Sequence, residues 1–215
     1  MAERLKYGSY YHIYNRGNNR ENIFIEERNY AYFLRLYAEH IVPVADTYAY
    51  CLLRNHFHLL VRIKTVDEQE AWHRDQYQTG SRKRSHQSRR PVFSRKDPSQ
   101  QFSNLFNVYT KAINKAYQRT GALFERPFGR IGVTSEDYFA QLVIYIHQNP
   151  QKHGFVDDFR RWPFSSYHTL LSKKPTDLHR DEVLAWFGGM ENVEAAHQKE
   201  IADTIITPWM LDDFM

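Results

Sequence analysis

Tyr50-Cys51-Leu52-Leu53-Arg54-Asn55-His56-Phe57-His58-Leu59-Leu60-Val61-Arg62-Ile63 is the stretch whose reading decides the fold. Two apolar runs broken by Arg54-Asn55 read as two strands, residues 47–53 and 57–63, joined tightly with the histidine pair at the start of the second. Alternation along a strand sends His56 and His58 to one face, about 6.6 Å apart at roughly 3.3 Å per residue, and Phe57 to the other. Neutral imidazole is the commonest protein metal ligand, so a His-apolar-His strand whose middle residue is buried makes a two-toothed metal clamp. The same spacing also suits a half-buried strand that shows two histidines to solvent, and the pair alone does not separate these readings.

Working outward, Tyr10-Tyr11-His12-Ile13-Tyr14-Asn15-Arg16 has β-forming composition and runs into the turn signal Gly17-Asn18-Asn19. Between residues 26 and 41, Tyr30, Phe33, Leu34, Tyr37 and Ile41 fall at helical spacing behind acidic residues in the first turn, and Pro43 closes that helix. Residues 64–99 lack apolar periodicity and read as a flexible basic insertion with a short helix near residues 68–72. Phe102, Leu105, Phe106, Tyr109, Ala112, Ile113, Ala116 and Tyr117 then form one apolar stripe, the mark of a long amphipathic helix from about residue 100. Residues 128–133 read as a fourth strand. Thr134-Ser135-Glu136-Asp137 resembles a capping box opening a helix to about residue 148, stopped by Pro150.

The first six elements follow β-α-β-β-α-β, which predicts an α+β, ferredoxin-like fold: an antiparallel sheet with helices on one face. Residues 1–171 are expected to form this domain. Residues 172–215 are expected to add a short C-terminal helical extension, with helices near residues 181–187 and 193–205.

Composition narrows the function. With 215 residues and 42% of them hydrophobic, the chain can bury a sizeable core. No apolar run approaches a membrane span and no signal peptide opens the sequence, so a cytoplasmic protein without membrane partners is expected. A single cysteine, Cys51, excludes a disulfide framework or thiolate zinc cluster and reads as a small buried hydrophobe. Any metal must be held by His, Asn and carboxylate. Net charge is +4, but residues 74–96 carry eight Lys/Arg against the single Asp75. Such a run suits polyphosphate, although a charge run of this kind is more often simply a solvated loop.

Tyr145 and Asn149 lie one turn apart on the last core helix, about 40° from each other at the edge of the face made by Phe139, Leu142, Val143 and Ile146. If that helix covers the sheet beside the histidine strand, one phenol and one amide carbonyl approach the imidazole pair. His147 points elsewhere and is expected to take no part in chemistry.

His56-Phe57-His58-Leu59-Leu60-Val61 with Tyr145-Ile146-His147-Gln148-Asn149-Pro150 resembles the HUH single-tyrosine transposases of insertion sequences, above all their REP-associated tyrosine transposase branch. Tyr11-His12-Ile13-Tyr14-Asn15-Arg16-Gly17, Gly121-Ala122-Leu123-Phe124-Glu125-Arg126-Pro127-Phe128 and Trp162-Pro163-Phe164-Ser165-Ser166-Tyr167 support it. The resemblance implies a ferredoxin-like or RRM-like HUH nuclease fold. It also implies cleavage of single-stranded or hairpin DNA through a 5′-phosphotyrosine link. Tyr145 would be the nucleophile, His56, His58 and Asn149 the ligands of Mg²⁺ or Mn²⁺, and Arg16 with Arg82, Lys83, Arg84, Arg89 and Arg90 the DNA contacts. The basic insertion and the C-terminal extension depart from the family pattern and leave DNA-sequence choice open, along with the choice between monomer and tyrosine-helix-swapped homodimer. Two rivals stand beside this reading. A non-catalytic RRM-like protein would stack single-stranded nucleic acid on Tyr10, Tyr14 and Tyr48, and a metal phosphodiesterase would use activated water instead of the tyrosine.

Overall fold

A computed structural model of the chain describes residues 4–78 and 93–199. The strands are β1 (Tyr10–Arg16), β2 (Ala45–Leu52), β3 (His56–Ile63) and β4 (Gly129–Val133). The helices are α1 (Glu27–His40), α2 (Val66–Gln78), α3 (Pro98–Ala116), α4 (Glu136–Lys152), α5 (Tyr167–Leu170), α6 (Arg180–Phe187) and α7 (Met190–His197). The four strands form one antiparallel sheet in the order β2-β3-β1-β4, as the β-α-β-β-α-β pattern requires.

The register follows from burial. On β3, Phe57, Leu59, Val61 and Ile63 face α1 and α3, where Phe57 packs against Phe33 and Phe106 with ring centroids 5.4 and 5.6 Å apart. His56 and His58 therefore face the opposite side, with Arg16 and Tyr14 of β1 as their cross-strand partners. That second side is covered by α4, whose Phe139 meets Tyr10 edge-on at 5.7 Å and Tyr48 at 5.3 Å.

Local chemistry sets the helix ends. The Glu26 side chain accepts from the Asn29 backbone while the Asn29 side chain accepts from the Glu26 N–H, which caps α1. Asp97 caps α3 ahead of Pro98 at its first turn, so this helix begins slightly before the apolar stripe does. Ser135 accepts from the Tyr138 N–H at the start of α4.

Two expectations need correction. Residues 66–78 form a thirteen-residue helix, α2, rather than a loop with a short helical stretch. Thr65 and Glu68 cap it reciprocally, and Arg62 of β3 pairs with Glu68. End chemistry and charge pairing hold it, not an apolar stripe, so periodicity misses it. Pro150 also fails to stop α4, which runs on to Lys152 and is closed by the His153 N–H on the Asn149 carbonyl. Proline deletes one intrahelical hydrogen bond. Here the preceding turn is packed under the sheet through Ile146, His147 and Asn149 and the proline itself is buried, so the helix continues.

The segment after α5 docks on the β2 edge. The His179 N–H donates to the Thr47 carbonyl at 2.8 Å, the Tyr48 hydroxyl donates to Glu182, and Trp186 stacks on Tyr48 with centroids 5.9 Å apart. Asp46 lies at the centre of this edge, bridged to Arg62, Lys64 and His179. Burial alone would raise its carboxyl pKa, but the His179 and Lys64 hydrogen bonds hold it well below the usual range. Val183 and Val193 bring α6 and α7 into the same core, and α7 ends at His197. No helix among the described residues is long and apolar enough to cross a membrane.

Candidate active site

β3 and α4 bring the four sequence-selected residues together within one chain. The His56 Nε2 lies 3.2 Å from the Asn149 Oδ1. His56 and His58 meet edge to face at 5.2 Å, and the Tyr145 ring stands edge-on to His58 at 5.6 Å. All four side chains are buried, with Tyr145 only 2% exposed. The Lys152 ammonium sits 5.8 Å from the Tyr145 ring centroid, about two turns further along α4.

The protonation pattern of His56 is informative. Its Nδ1 lies 2.8 Å from the Asn55 Oδ1 while its Nε2 faces Asn149. Both neighbours are carbonyl oxygens as oriented, and a neutral imidazole can donate to only one of them. With the proton on Nδ1 for Asn55, the Nε2 lone pair and the Asn149 oxygen converge on the same space. The Asn149 Nδ2 is buried with no hydrogen-bond partner among the described residues. Two lone pairs that face one another are what a cation reconciles. Among the described residues, no three His, Cys, Asp or Glu side chains form a metal cluster, and the oxygen beside the imidazole pair is the Asn149 amide.

A cavity of about 140 Å³ opens onto the pair, lined by Tyr14, Arg16, His56, His58, Glu125, Arg126 and Gly129. Gly129 is required there, because a Cβ would come within 2.2 Å of the Tyr14 ring. Tyr145 does not line this cavity, so the imidazoles are approached from one side and the phenol is covered by α4 on the other. Arg16 lies at the rim opposite His56. Arg82, Lys83, Arg84, Arg89 and Arg90 lie outside the described residues.

His147 faces away from the pair, as its position on the helix predicts. Its Nδ1 meets the His197 Nε2 at 2.8 Å and its Nε2 meets the Ser166 Oγ at 2.7 Å. The His197 Nδ1 donates to the Val193 carbonyl, so in its neutral form the His197 Nε2 accepts from the His147 Nδ1. Burial keeps His147 far below its ordinary pKa and pushes His197 down to about 4.

Two neighbours escaped the sequence reading. His12 of β1 has its Nε2 2.9 Å from the His58 Nδ1, with the rings stacked 5.1 Å apart, and it meets Tyr145 edge-on at 6.3 Å. His153, directly after α4, lies 4.8 Å from His56. Each carried a signal: His12 shares the strand face of Tyr14, and His153 sits one turn beyond Asn149. Only the β1–β3 register and the continuation of α4 past Pro150 turn these signals into contacts.

No protein-family model matches the chain. A Haemophilus influenzae protein, named by inference as a REP-associated tyrosine transposase, is 28% identical over 123 residues, which is 57% of this chain and 59% of that protein. The match therefore spans less than two thirds of that relative's length. A solved structure of a REP-associated tyrosine transposase bound to a REP hairpin superposes with a TM-score of 0.54 at 17% identity, covering 82% of this chain and 90% of that one. This chain resembles the REP-associated tyrosine transposases. At that identity the solved structure speaks to architecture alone.

Proposed function

We propose that this chain is a single-stranded DNA endonuclease and strand transferase that binds hairpin DNA and cuts it through a 5′-phosphotyrosine intermediate. The observation that carries the reading is the meeting of one helix, bearing Tyr145 and Asn149, with one strand, bearing His56 and His58, in a chain that resembles REP-associated tyrosine transposases. The Tyr145 Oη attacks the scissile phosphorus. A Tyr145–phosphate bond forms, the P–O3′ bond breaks, the phenolic proton leaves to solvent, and the departing O3′ takes up a proton. Reversal of the same step by a different 3′-hydroxyl gives strand transfer.

A phenol with pKa near 10 is a weak nucleophile at neutral pH, so the site needs an electrophilic centre. His56, His58 and Asn149 would hold a divalent ion such as Mg²⁺ or Mn²⁺, a mixed imidazole and oxygen donor set that leaves positions open for substrate. When bound, that ion would polarise a non-bridging phosphate oxygen and favour the phenolate. The chain's own residues orient the chemistry: Asn55 fixes the His56 tautomer, α4 shields the phenol from water, and Arg16 and Arg126 at the cavity rim meet the phosphate backbone.

An RRM-like binding platform is the weaker reading. Tyr48 is fully buried and Tyr10 packs under Phe139 and Trp186, so two of its three candidate stacking rings are covered by the chain itself. Incubation with single-stranded hairpin oligonucleotides and Mn²⁺, followed by denaturing gels, should show a covalent protein–DNA adduct that Tyr145→Phe abolishes while still binding the hairpin. Strand cleavage that persists in Tyr145→Phe without an adduct would replace this reading with hydrolysis by activated water.

A further inference from the structure

Both imidazoles of the pair are wired alike. The His56 Nδ1 is held by Asn55 at 2.8 Å, and the His58 Nδ1 is held by His12 at 2.9 Å. We infer that His12 is a positioning residue: it accepts the His58 Nδ1 proton and so leaves the His58 Nε2 lone pair available to a divalent cation. This rests on the metal-dependent reading of the site.

The contact between the two rings holds a single proton, and its placement decides what His58 can do. If His12 donates, His58 carries its own proton on Nε2 and has no lone pair there for a cation. If His58 donates, its Nε2 keeps a lone pair, like that of His56. Ligand histidines characteristically give their second ring N–H to an acceptor that fixes tautomer and orientation, and loss of that acceptor weakens metal binding about 10- to 100-fold. His12 suits the role because it cannot drift. It is wholly buried, on the same strand face as Tyr14, the residue opposite His58, and next along that face, with its ring stacked on His58 and set edge-on to Tyr145. An imidazole in this position also has no net charge to draw the ion off its ligands.

The test is Mn²⁺ binding to the DNA-free full chain, read by electron paramagnetic resonance of free Mn²⁺, so that no turnover is needed. His12→Phe keeps a ring but removes the acceptor, and should weaken Mn²⁺ about 10- to 100-fold while leaving hairpin affinity in EDTA unchanged. His12→Gln restores an acceptor oxygen and should recover most of that loss. Wild-type Mn²⁺ affinity in His12→Phe would overturn the inference. His58→Ala separates the two levels of failure. If it also binds Mn²⁺ like wild type, the metal reading itself falls. If it loses Mn²⁺ while His12→Phe does not, only the role of His12 falls. Should His12→Phe not fold, long-range ¹H–¹⁵N spectra of the wild-type chain in Mg²⁺ decide: a proton on the His58 Nδ1 supports the inference, and a proton on Nε2 overturns it.

Discussion

The two faces of the sheet are built on opposite rules. Toward α1 and α3 the buried side chains are mainly aromatic and aliphatic, among them Phe24, Phe33, Phe57, Phe102, Phe106, Tyr109 and Phe124, with Thr47 bonded to the Tyr37 hydroxyl of α1. Toward α4 the sheet buries His12, His56, His58 and Asp46, and α4 answers with His147 and Asn149. Buried polar groups are tolerated only when partnered, so their concentration on one face marks the side that does more than stabilise. The apolar face also aims the polar one. A slip of one residue in β3 would exchange Phe57 for the histidine pair, and the core would refuse the exchange.

That contrast breaks down if the faces respond alike to mutation. The largest effect is expected for Phe57→Ala, which opens a cavity between α1, α3 and the sheet and should lower unfolding stability by about 3–5 kcal/mol in urea titration. Asn149→Leu on the other face is nearly isosteric and removes a buried amide nitrogen with no hydrogen-bond partner among the described residues. Its stability should match or exceed wild type in the same titration, while adduct formation collapses. A strongly destabilised Asn149→Leu would show that the polar face is structural scaffolding after all.

A smaller effect belongs to the pairing of α7 with α4. His197 is neutral when folded, with its pKa pushed down to about 4 by burial, and titrates near its ordinary value when unfolded. Its contribution is complete above about pH 6.5 and is lost as pH falls from there toward about 4, because only the unfolded chain takes up the proton. Thermal midpoints measured between pH 7 and pH 5 should therefore fall for wild type and fall less for His197→Phe. The smallest expected change concerns the basic run. Neutralising Arg82, Lys83 and Arg84 should weaken binding to all hairpins similarly and flatten the dependence of log K on log salt, by somewhat less than one unit per lost phosphate contact. An unchanged slope would make the run a solvated loop.

Where sequence and structure agree, the signal was local. Alternation in β1 and β3, the stripe of α3 and the Ser135 cap each depend on neighbours along the chain, and the one-turn spacing of Tyr145 and Asn149 put both on the sheet side. What stayed hidden depends on distant partners. α2 is held by Arg62 and Thr65 at its start, Pro150 is carried through α4 by the burial of the turn before it, and His12 acquires meaning only when β1 is laid against β3. The helix near residues 181–187 was legible, but the docking of the C-terminal segment was not, since Trp186 and His197 are explained by Tyr48, Phe139 and His147 across the fold.

The central claim is that the nucleophile is the covered phenol on α4, although Tyr14 lines the open cavity and lies 6.1 Å from His58. Trapping the covalent complex with a hairpin oligonucleotide and Mn²⁺, digesting it and locating the nucleotide adduct by mass spectrometry tests this directly. The adduct should fall on Tyr145, which also requires α4 to move enough to present its hydroxyl to the cavity. An adduct on Tyr14, or on Tyr138 of the same helix, would contradict the account.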